Sequence, residues 1–337
     1  MTRVPPLRIA YVLEDTGLAG GTRVAVAQAD ALVDRGHEAT LITKGEALTW
    51  RDSKARWQFV SSLDEIDPTA FDFVIGTFWS TLSAVQEIAG RRGIHLCQGY
   101  EGAFTAYQSL KAQIDTAYRL PLPKITVSPH LVQICREFFD DATYIGQIVD
   151  DVFFREPAFR QSRPRVLLAG PMQADFKGID IGYDAVRRAR ASGAAFDLVR
   201  VSQWPAVEDE PTELAAEFHV GLSTPDMARL IASCDIVLGS SRHQEGFGLP
   251  PAEGMASGLA AVLSAIPSFL SFDGARDYAL FAPEEDANAM GEALARLVTD
   301  NPLRRLVALR GRSVVEQFRA HHTGLRLERY FLQRRAR

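Results

Sequence analysis

His243-Gln-Glu-Gly-Phe-Gly-Leu-Pro-Pro-Ala-Glu-Gly-Met-Ala-Ser-Gly258 carries two carboxylates, Glu245 and Glu253, across a glycine-rich turn and a pair of prolines. Just before it, Asp235-Ile-Val-Leu-Gly239 sets three apolar residues between a charge and a glycine, the pattern of a short buried strand. Pro251 to Gly258 reads as the opening turns of a helix, with proline at or near its first position. Strand, glycine turn and helix in that order put the turn at the carboxyl end of a sheet strand, beside the N–H groups of a helix start. Ionised carboxylates only accept hydrogen bonds and would repel a bare phosphate, so a hydroxyl-rich group suits them better. The alternative on these residues alone is a solvated loop carboxylate at Glu245 and a first-turn carboxylate favoured by the helix dipole at Glu253.

A ligand that also carries phosphates needs a cation close by. Phe176-Lys-Gly-Ile-Asp180 offers Lys177 in a second turn of the same kind. That turn follows the strand reading of Arg165-Val-Leu-Leu-Ala169 and precedes a helix expected from Gly178 to about Ala191. The inferred ligand is a sugar attached to a phosphorylated carrier.

Working outward, the chain is a series of β and α segments. Leu7–Leu13 and Glu38–Thr43 read as strands around a helix from Arg23 to Arg35, with Gly20 and Gly21 in the first crossover. Those glycines do not match the dinucleotide pattern, and no Gly-Lys-Ser/Thr follows them. They are either a backbone that approaches a bound sugar or phosphate closely, or a plain loop pair. Phe71–Gly76, Ile94–Cys97, Lys124–Ser128 and Thr143–Gly146 are further strands, with helices expected over 77–91, over Tyr107–Tyr118 and from Pro129. The loop Gln98-Gly-Tyr-Glu-Gly-Ala-Phe104 offers Tyr100 and Glu101 to a second substrate, or else covers the core; Trp79 is the third residue expected on that side. Arg155 to Pro164 is polar with prolines at 157 and 164, and reads as a linker between a domain over 1–154 and a second over 165–314. In the second domain, strands are expected at Phe196–Ser202, Glu217–Val220, Ala260–Ser264 and around Arg276–Phe281, and a helix at Ala287–Leu297. Ser223 or Thr224 is expected to cap a helix through Ala232. From Leu303 the chain reads as largely helical.

At 337 residues and 47% hydrophobic, the chain has enough apolar material for two cores. A net charge of -5 gives no general basis for binding nucleic acid, and none is expected as a partner. Cys97, Cys135 and Cys234 lie far apart among apolar residues and read as reduced, buried thiols. With no signal peptide or bilayer-length apolar run in view, the expected location is the cytoplasm. From Arg304 onward there are ten arginines against two glutamates, Glu316 and Glu328. That excess reads as a solvated helix face, or as a peripheral contact with the inner face of a membrane; no tryptophan–lysine amphipathic face supports more.

Over nearly its full length the sequence resembles the large retaining "family 4" group of glycosyltransferases, which have the two-domain GT-B architecture. The likeness is carried by Gly20-Gly21 with Arg35-Gly-His-Glu-Ala-Thr-Leu41, by Ile125-Thr-Val-Ser128, by Phe176-Lys-Gly-Ile-Asp180, and by Glu245-Gly-Phe-Gly-Leu-Pro-Pro-Ala-Glu253 with its seven residues between the acids. The resemblance implies an α/β fold of two doubly wound Rossmann-like domains facing a central cleft, with the segment 315–337 packing back across the first. It implies transfer of a hexose or deoxyhexose, with retention, from a nucleotide-diphosphate sugar to a hydroxyl of a sugar, lipid-linked or small-molecule acceptor. Lys177 and Glu245 would be the catalytic pair, Lys177 neutralising the departing β-phosphate and Glu245 holding donor hydroxyls. Glu253 would accept from the nucleotide ribose. Gly20 and Gly21 would join Gly246, Phe247, Gly248, Leu249 and Pro250 in holding sugar and phosphates, and Tyr100, Glu101 and Trp79 would face the acceptor. No metal or other cofactor is expected, and His243 stands alone with no ligand spacing around it.

Two positions depart from the family pattern. Pro171 stands where a second phosphate-binding arginine is usual, which leaves Arg200 or Arg242 to substitute and names Arg200 as a donor-binding candidate. The family's first-domain histidine has no counterpart in Gln98-Gly-Tyr-Glu101. Epimerase or phosphorylase chemistry on the same fold, a noncatalytic nucleotide-sugar-binding protein, and an interaction protein with no ligand are the rival classes.

Overall fold

A computed structural model describes residues 5–17, 20–46, 48, 50–157 and 163–336. Its contacts divide the chain into two compact units, one up to Ile148 together with Phe318 onward, the other Val149–Gln317. The division falls ahead of the expected linker, and residues 158–162 of that linker lie outside the described residues. Phe153 already belongs to the second unit, where it is fully buried and its carbonyl accepts from Ser257 Oγ at 2.9 Å.

In the first unit the elements run β1 (Arg8–Val12), α1 (Gly20–Asp34), β2 (Glu38–Thr43), β3 (Arg56–Phe59), β4 (Phe73–Gly76), α2 (Leu82–Ala89), β5 (Gly93–Cys97), α3 (Lys111–Tyr118), β6 (Lys124–Thr126), α4 (Pro129–Arg136) and β7 (Ala142–Tyr144). The strands form one parallel sheet in the order β3-β2-β1-β4-β5-β6-β7. Its central members are apolar on both faces because helices cover both sides; Ile9 to Val12 and Gly93 to Cys97 are buried throughout. β3 was not expected, since Arg56-Trp-Gln-Phe59 is a half-exposed edge with no buried apolar run to announce it. The helices expected over 77–91 and 107–118 open as 3₁₀ turns, Trp79–Thr81 and Thr105–Leu110, before α2 and α3 begin.

The second unit continues with β8 (Arg165–Ala169), α5 (Ile179–Ala191), β9 (Asp197–Ser202), β10 (Glu217–Val220), α6 (Thr224–Ile231), β11 (Ile236–Gly239), α7 (Leu249–Ala256), β12 (Ala260–Ser264), α8 (Pro267–Leu270), β13 (Leu280–Ala282), α9 (Ala287–Thr299) and α10 (Asn301–Val315). Its parallel sheet has the order β10-β9-β8-β11-β12-β13. Ser223 caps α6, its hydroxyl accepting from the Asp226 N–H at 3.3 Å. Both units are thus Rossmann-like, and the fold is of the GT-B type. In each sheet the strand order reverses beside the first strand, between β1 and β4 and between β8 and β11. Crossovers leave in opposite directions at such a point and open a crevice outside the carboxyl ends of the strands.

The last helix, α11 (Ala320–Arg335), returns to the first unit. Its Thr323 Oγ1 donates to the Gln147 carbonyl at 2.8 Å, Glu328 binds Arg35 and His37, and Phe331 packs at a tilt against Phe73 with ring centroids 5.1 Å apart. Much of the arginine excess is consumed inside the units: Arg304 is buried on the carbonyls that end α9, Arg310 pairs with Asp273 and Asp277, Arg312 with Glu316, and Arg334 with Asp141. Cys97, Cys135 and Cys234 are buried free thiols. Among the described residues no helix is long and apolar enough to cross a membrane.

Candidate active site

The reversal point of the second sheet is where two turns meet. The chain leaving β8 makes a single 3₁₀ turn, Asp175–Lys177, and Gly178 then takes φ +57 to start α5. A Cβ at Gly178 would lie 2.0 Å from the Ser240 carbonyl oxygen, so only glycine lets this turn press against the end of β11. Two bonds stitch the contact: the Arg242 N–H donates to the Phe176 carbonyl at 2.8 Å, and Ser240 Oγ to the Lys177 carbonyl at 3.4 Å. The Arg242 guanidinium adds the Asp175 carbonyl, Asp180 at 2.8 Å and Glu285 at 2.9 Å.

That docking brings Lys177 to Glu245, with Nζ to Oε2 at 2.7 Å, and the hydroxyl of Ser241 donates to the same oxygen at 3.1 Å. The two side chains are 19% and 7% exposed, so the pair is sheltered while the lysine keeps an open edge. An ammonium has three donors and Glu245 takes one of them; the others point to an anion or to hydroxyls arriving at that edge.

The carboxylate turn is held as firmly. Gly248 caps α7 with φ +92, and a Cβ there would meet the Phe269 ring at 2.2 Å. Phe247 is 4% exposed and packs on Phe272, with centroids 4.9 Å apart. α7 starts at Leu249, ahead of the expected Pro251, and this changes the chemistry. A helix leaves its first four N–H groups unbonded, here those of positions 248–251, and Pro250 and Pro251 have none. Half of the anion-binding capacity of this helix start is therefore missing, and positive charge at the site falls to Lys177. Glu253 sits one turn into α7 and is 1% exposed. His243, at the far side of the turn, is exposed and bound to Glu284 at 2.8 Å. Among the described residues no group of three or more His, Cys, Asp or Glu is arranged to hold a metal ion.

Arg200 is placed elsewhere. It is fully buried in β9, with Nε 2.9 Å from Glu210 Oε1 and Nη1 on the Val201 carbonyl, and Tyr183 donates to the same Glu210 oxygen at 3.1 Å. Its charge is spent internally and is not presented to a ligand. Arg242, which braces the lysine turn, is the cation adjoining Lys177.

In the first unit, Gly20 opens α1 with none of the described residues within 4 Å of its added Cβ, and Gly21 lies beside the Gln98 side chain, which donates to the Thr77 carbonyl at 3.2 Å. Leu18 and Ala19 of that crossover lie outside the described residues. Trp79 lines an open pocket of about 410 Å³ with Ser80, Ser83, Gln113 and Thr116. Its indole nitrogen is buried and has no hydrogen-bond partner among the described residues. Tyr100 and Glu101 are tied down instead: Tyr100 bonds Asp115 and accepts from Lys111 at 2.9 Å, and Glu101 is 7% exposed beneath the Tyr118 hydroxyl that donates to it. Neither Asp115 nor Tyr118 stood out in the sequence, because each lies in an ordinary amphipathic helix.

Burial pushes the Glu101 carboxyl up from 4.5 to about 7, against the hydrogen bonds that favour its ionised form. Between those values the folded chain holds a proton that the unfolded chain has released. Stability contributed by neutral Glu101 is therefore full below pH 4.5 and is lost as the pH rises through 7. Glu101→Gln is expected to gain about 2–3 kcal/mol on the wild type between pH 5 and pH 8. Urea unfolding of both proteins at the two pH values measures this; an equal difference at both refutes it.

Residues 163–300 match the family described as "Glycosyl transferases group 1". No curated protein sequence matches the chain closely enough to count as a relative. Among solved structures, the chain is similar to Anabaena HepE in complex with UDP and glucose, at 14% identity over 97% of this chain and 99% of that one, with a TM-score of 0.77. It is similar also to a glycosyltransferase from Rickettsia africae, at 16% identity over 98% and 99%, TM-score 0.74. Sucrose-phosphate synthase from Thermosynechococcus elongatus gives 16% identity over 97% and 98%, TM-score 0.74. At these identities the likeness is one of fold.

Proposed function

We propose that the protein is a glycosyltransferase that moves a hexose or deoxyhexose from a nucleotide-diphosphate sugar to an acceptor hydroxyl, with retention at the sugar's C1. The observation that carries the reading is the Lys177–Glu245 pair, a sheltered ammonium and carboxylate 2.7 Å apart at the strand-order reversal of the second sheet. A sugar phosphate asks for both charges at once, a cation for its phosphate and an acceptor for its hydroxyls. The match of 163–300 to a glycosyltransferase family, and the nucleotide and sugar bound by the Anabaena protein, support the same reading.

In the reaction the bond from C1 to the phosphate oxygen breaks, and the acceptor oxygen bonds to C1 on the same face. The acceptor's proton passes to the departing phosphate, so the products are the glycoside and a nucleoside diphosphate. The sugar gains oxocarbenium character while negative charge grows on the leaving oxygen, and Lys177 acts where that charge develops. Glu245 holds sugar hydroxyls and Glu253 the ribose. Acceptor binding falls to the pocket at Trp79, with Tyr100 and Glu101 shaping its surroundings.

A panel of nucleoside diphosphates and their sugars, read by thermal shift, identifies the donor, because a ligand that binds the folded state raises its apparent stability. Release of free nucleoside diphosphate only when an acceptor is added separates transfer from epimerisation. Glu253→Ala is expected to weaken nucleotide binding by roughly 10- to 100-fold, the scale of a lost hydrogen bond to a charged group. An unchanged dissociation constant by calorimetry excludes the ribose role. Pro171, in place of a second cation, favours one other reading: binding without turnover, which zero product with intact affinity would select.

A further inference from the structure

Resting on the nucleotide-sugar reading, we infer that Trp204 is the stacking platform for the donor's nucleobase, and that the buried Arg200–Glu210 pair holds it in place. Trp204 is 49% exposed, where the hydrophobic effect would have so large an apolar residue covered. Trp204 lies just past the end of β9, after Gln203, with its backbone N–H donating to Ser202 Oγ at 3.1 Å. The next carbonyl, that of Pro205, accepts from Gln173 Nε2 at 2.9 Å, and Gln173 belongs to the turn that leads into Lys177. On the other flank the Gly221 N–H donates to the Ser202 carbonyl at 2.9 Å, and Val220, at the end of β10, is 44% exposed. The exits of β8, β9 and β10 are therefore joined along the sheet edge that carries the lysine turn. Neighbouring strands lie about 5 Å apart, so Trp204 leaves the sheet one strand from the lysine turn's own strand and two from β11. An extended nucleoside diphosphate with its phosphates at Lys177 would carry its base toward this side.

The loop bearing Trp204 is not loose. Arg200, in the strand β9 that leads into it, and Glu210 at its end are 0% and 1% exposed and joined at 2.9 Å, with Tyr183 bonded to the same carboxylate oxygen. Burying an ion pair costs desolvation that its attraction recovers only with good geometry. Here it fixes both ends of the segment 203–209, so the indole is presented already ordered. Arg200 is a positioning residue for this platform and touches no phosphate.

The test uses calorimetry with UDP, GDP, ADP, CDP and inorganic pyrophosphate on the full chain. Trp204→Ala is expected to weaken the preferred nucleoside diphosphate by about 5- to 150-fold, the worth of one base–aromatic stack, and to leave pyrophosphate affinity unchanged. Trp204→Phe, which keeps a ring, is expected to retain most of the affinity. In the wild type, the tryptophan fluorescence that Trp204→Phe removes should be quenched by the nucleotide and not by pyrophosphate. Full nucleotide affinity in Trp204→Ala, or an equal loss for pyrophosphate, overturns the platform and leaves the glycosyltransferase reading standing. If the wild type binds no nucleoside diphosphate, both fall.

Discussion

Replacing Lys177 by alanine is expected to lower turnover by roughly 10²–10³, the scale for removing one donor aimed at charge that develops in a transition state. The expectation rests on what is lacking around the site as much as on the amine itself. Pro250 and Pro251 take two of the first four N–H groups away from the start of α7. Arg200, the cation two strands from β11, is locked to Glu210 inside the core. Arg242 is near, yet its guanidinium is already divided between the Asp175 carbonyl, Asp180 and Glu285. Lys177 thus carries a large share of the positive charge offered to a departing phosphate. Lys177→Ala also strips a sheltered carboxylate of its partner, since Glu245 is bonded to that amine and to Ser241. Ground-state affinity is therefore predicted to shift less than turnover. Initial rates at saturating donor, with the dissociation constant measured separately, distinguish the two effects. Near-normal turnover in the variant would remove Lys177 from the chemistry.

The parts of the fold that the sequence announced are those whose physics is local. β11 and β12 coincide with short apolar runs, and Ser223 caps α6 because a hydroxyl before a proline-led helix has a free N–H to satisfy. β3 escaped because an edge strand needs no continuous apolar run. α7 begins earlier than its prolines suggested, since a left-handed Gly248 lets the helix start at Leu249. The site follows the same division. Lys177 and Glu245 stand out because each lies in a strand–glycine–helix sequence, and the fold brings both to the reversal point of one sheet. The sequence offers Arg200 as a stand-in for the cation missing at Pro171, and nothing in its local pattern marks it as fully buried. Only the tertiary fold shows Glu210, ten residues on, closing over it. Tyr100 and Glu101 are legible as members of the loop after β5, but the residues that immobilise them, Asp115, Lys111 and Tyr118, come from a later helix whose packing no local pattern encodes.

Gly178→Ala is predicted to damage the site without touching a charged group. The methyl would have to occupy a point 2.0 Å from the Ser240 carbonyl oxygen, and that oxygen belongs to backbone leaving the central strand β11. A flexible side chain could swing aside; this carbonyl cannot without disturbing β11 or its turn. The residue would also be held at φ +57, where alanine pays a penalty that glycine does not. Left-handed strain and overpacking each cost about 1–3 kcal/mol, so a loss of roughly 2–5 kcal/mol is expected if nothing moves. The cheaper escape is for the lysine turn to withdraw from β11. That would stretch the bonds from Arg242 and Ser240 to the Phe176 and Lys177 carbonyls and draw the ammonium away from Glu245. Relief of the strain therefore displaces the reacting charge, and a shift of about 1 Å at such a group lowers turnover by roughly 10²-fold. The variant should lose stability, or turnover, or some of each in inverse proportion. Chemical denaturation and initial rates on the same preparation read both quantities. A Gly178→Ala protein with wild-type stability and wild-type turnover would mean that the lysine turn does not rest on Ser240.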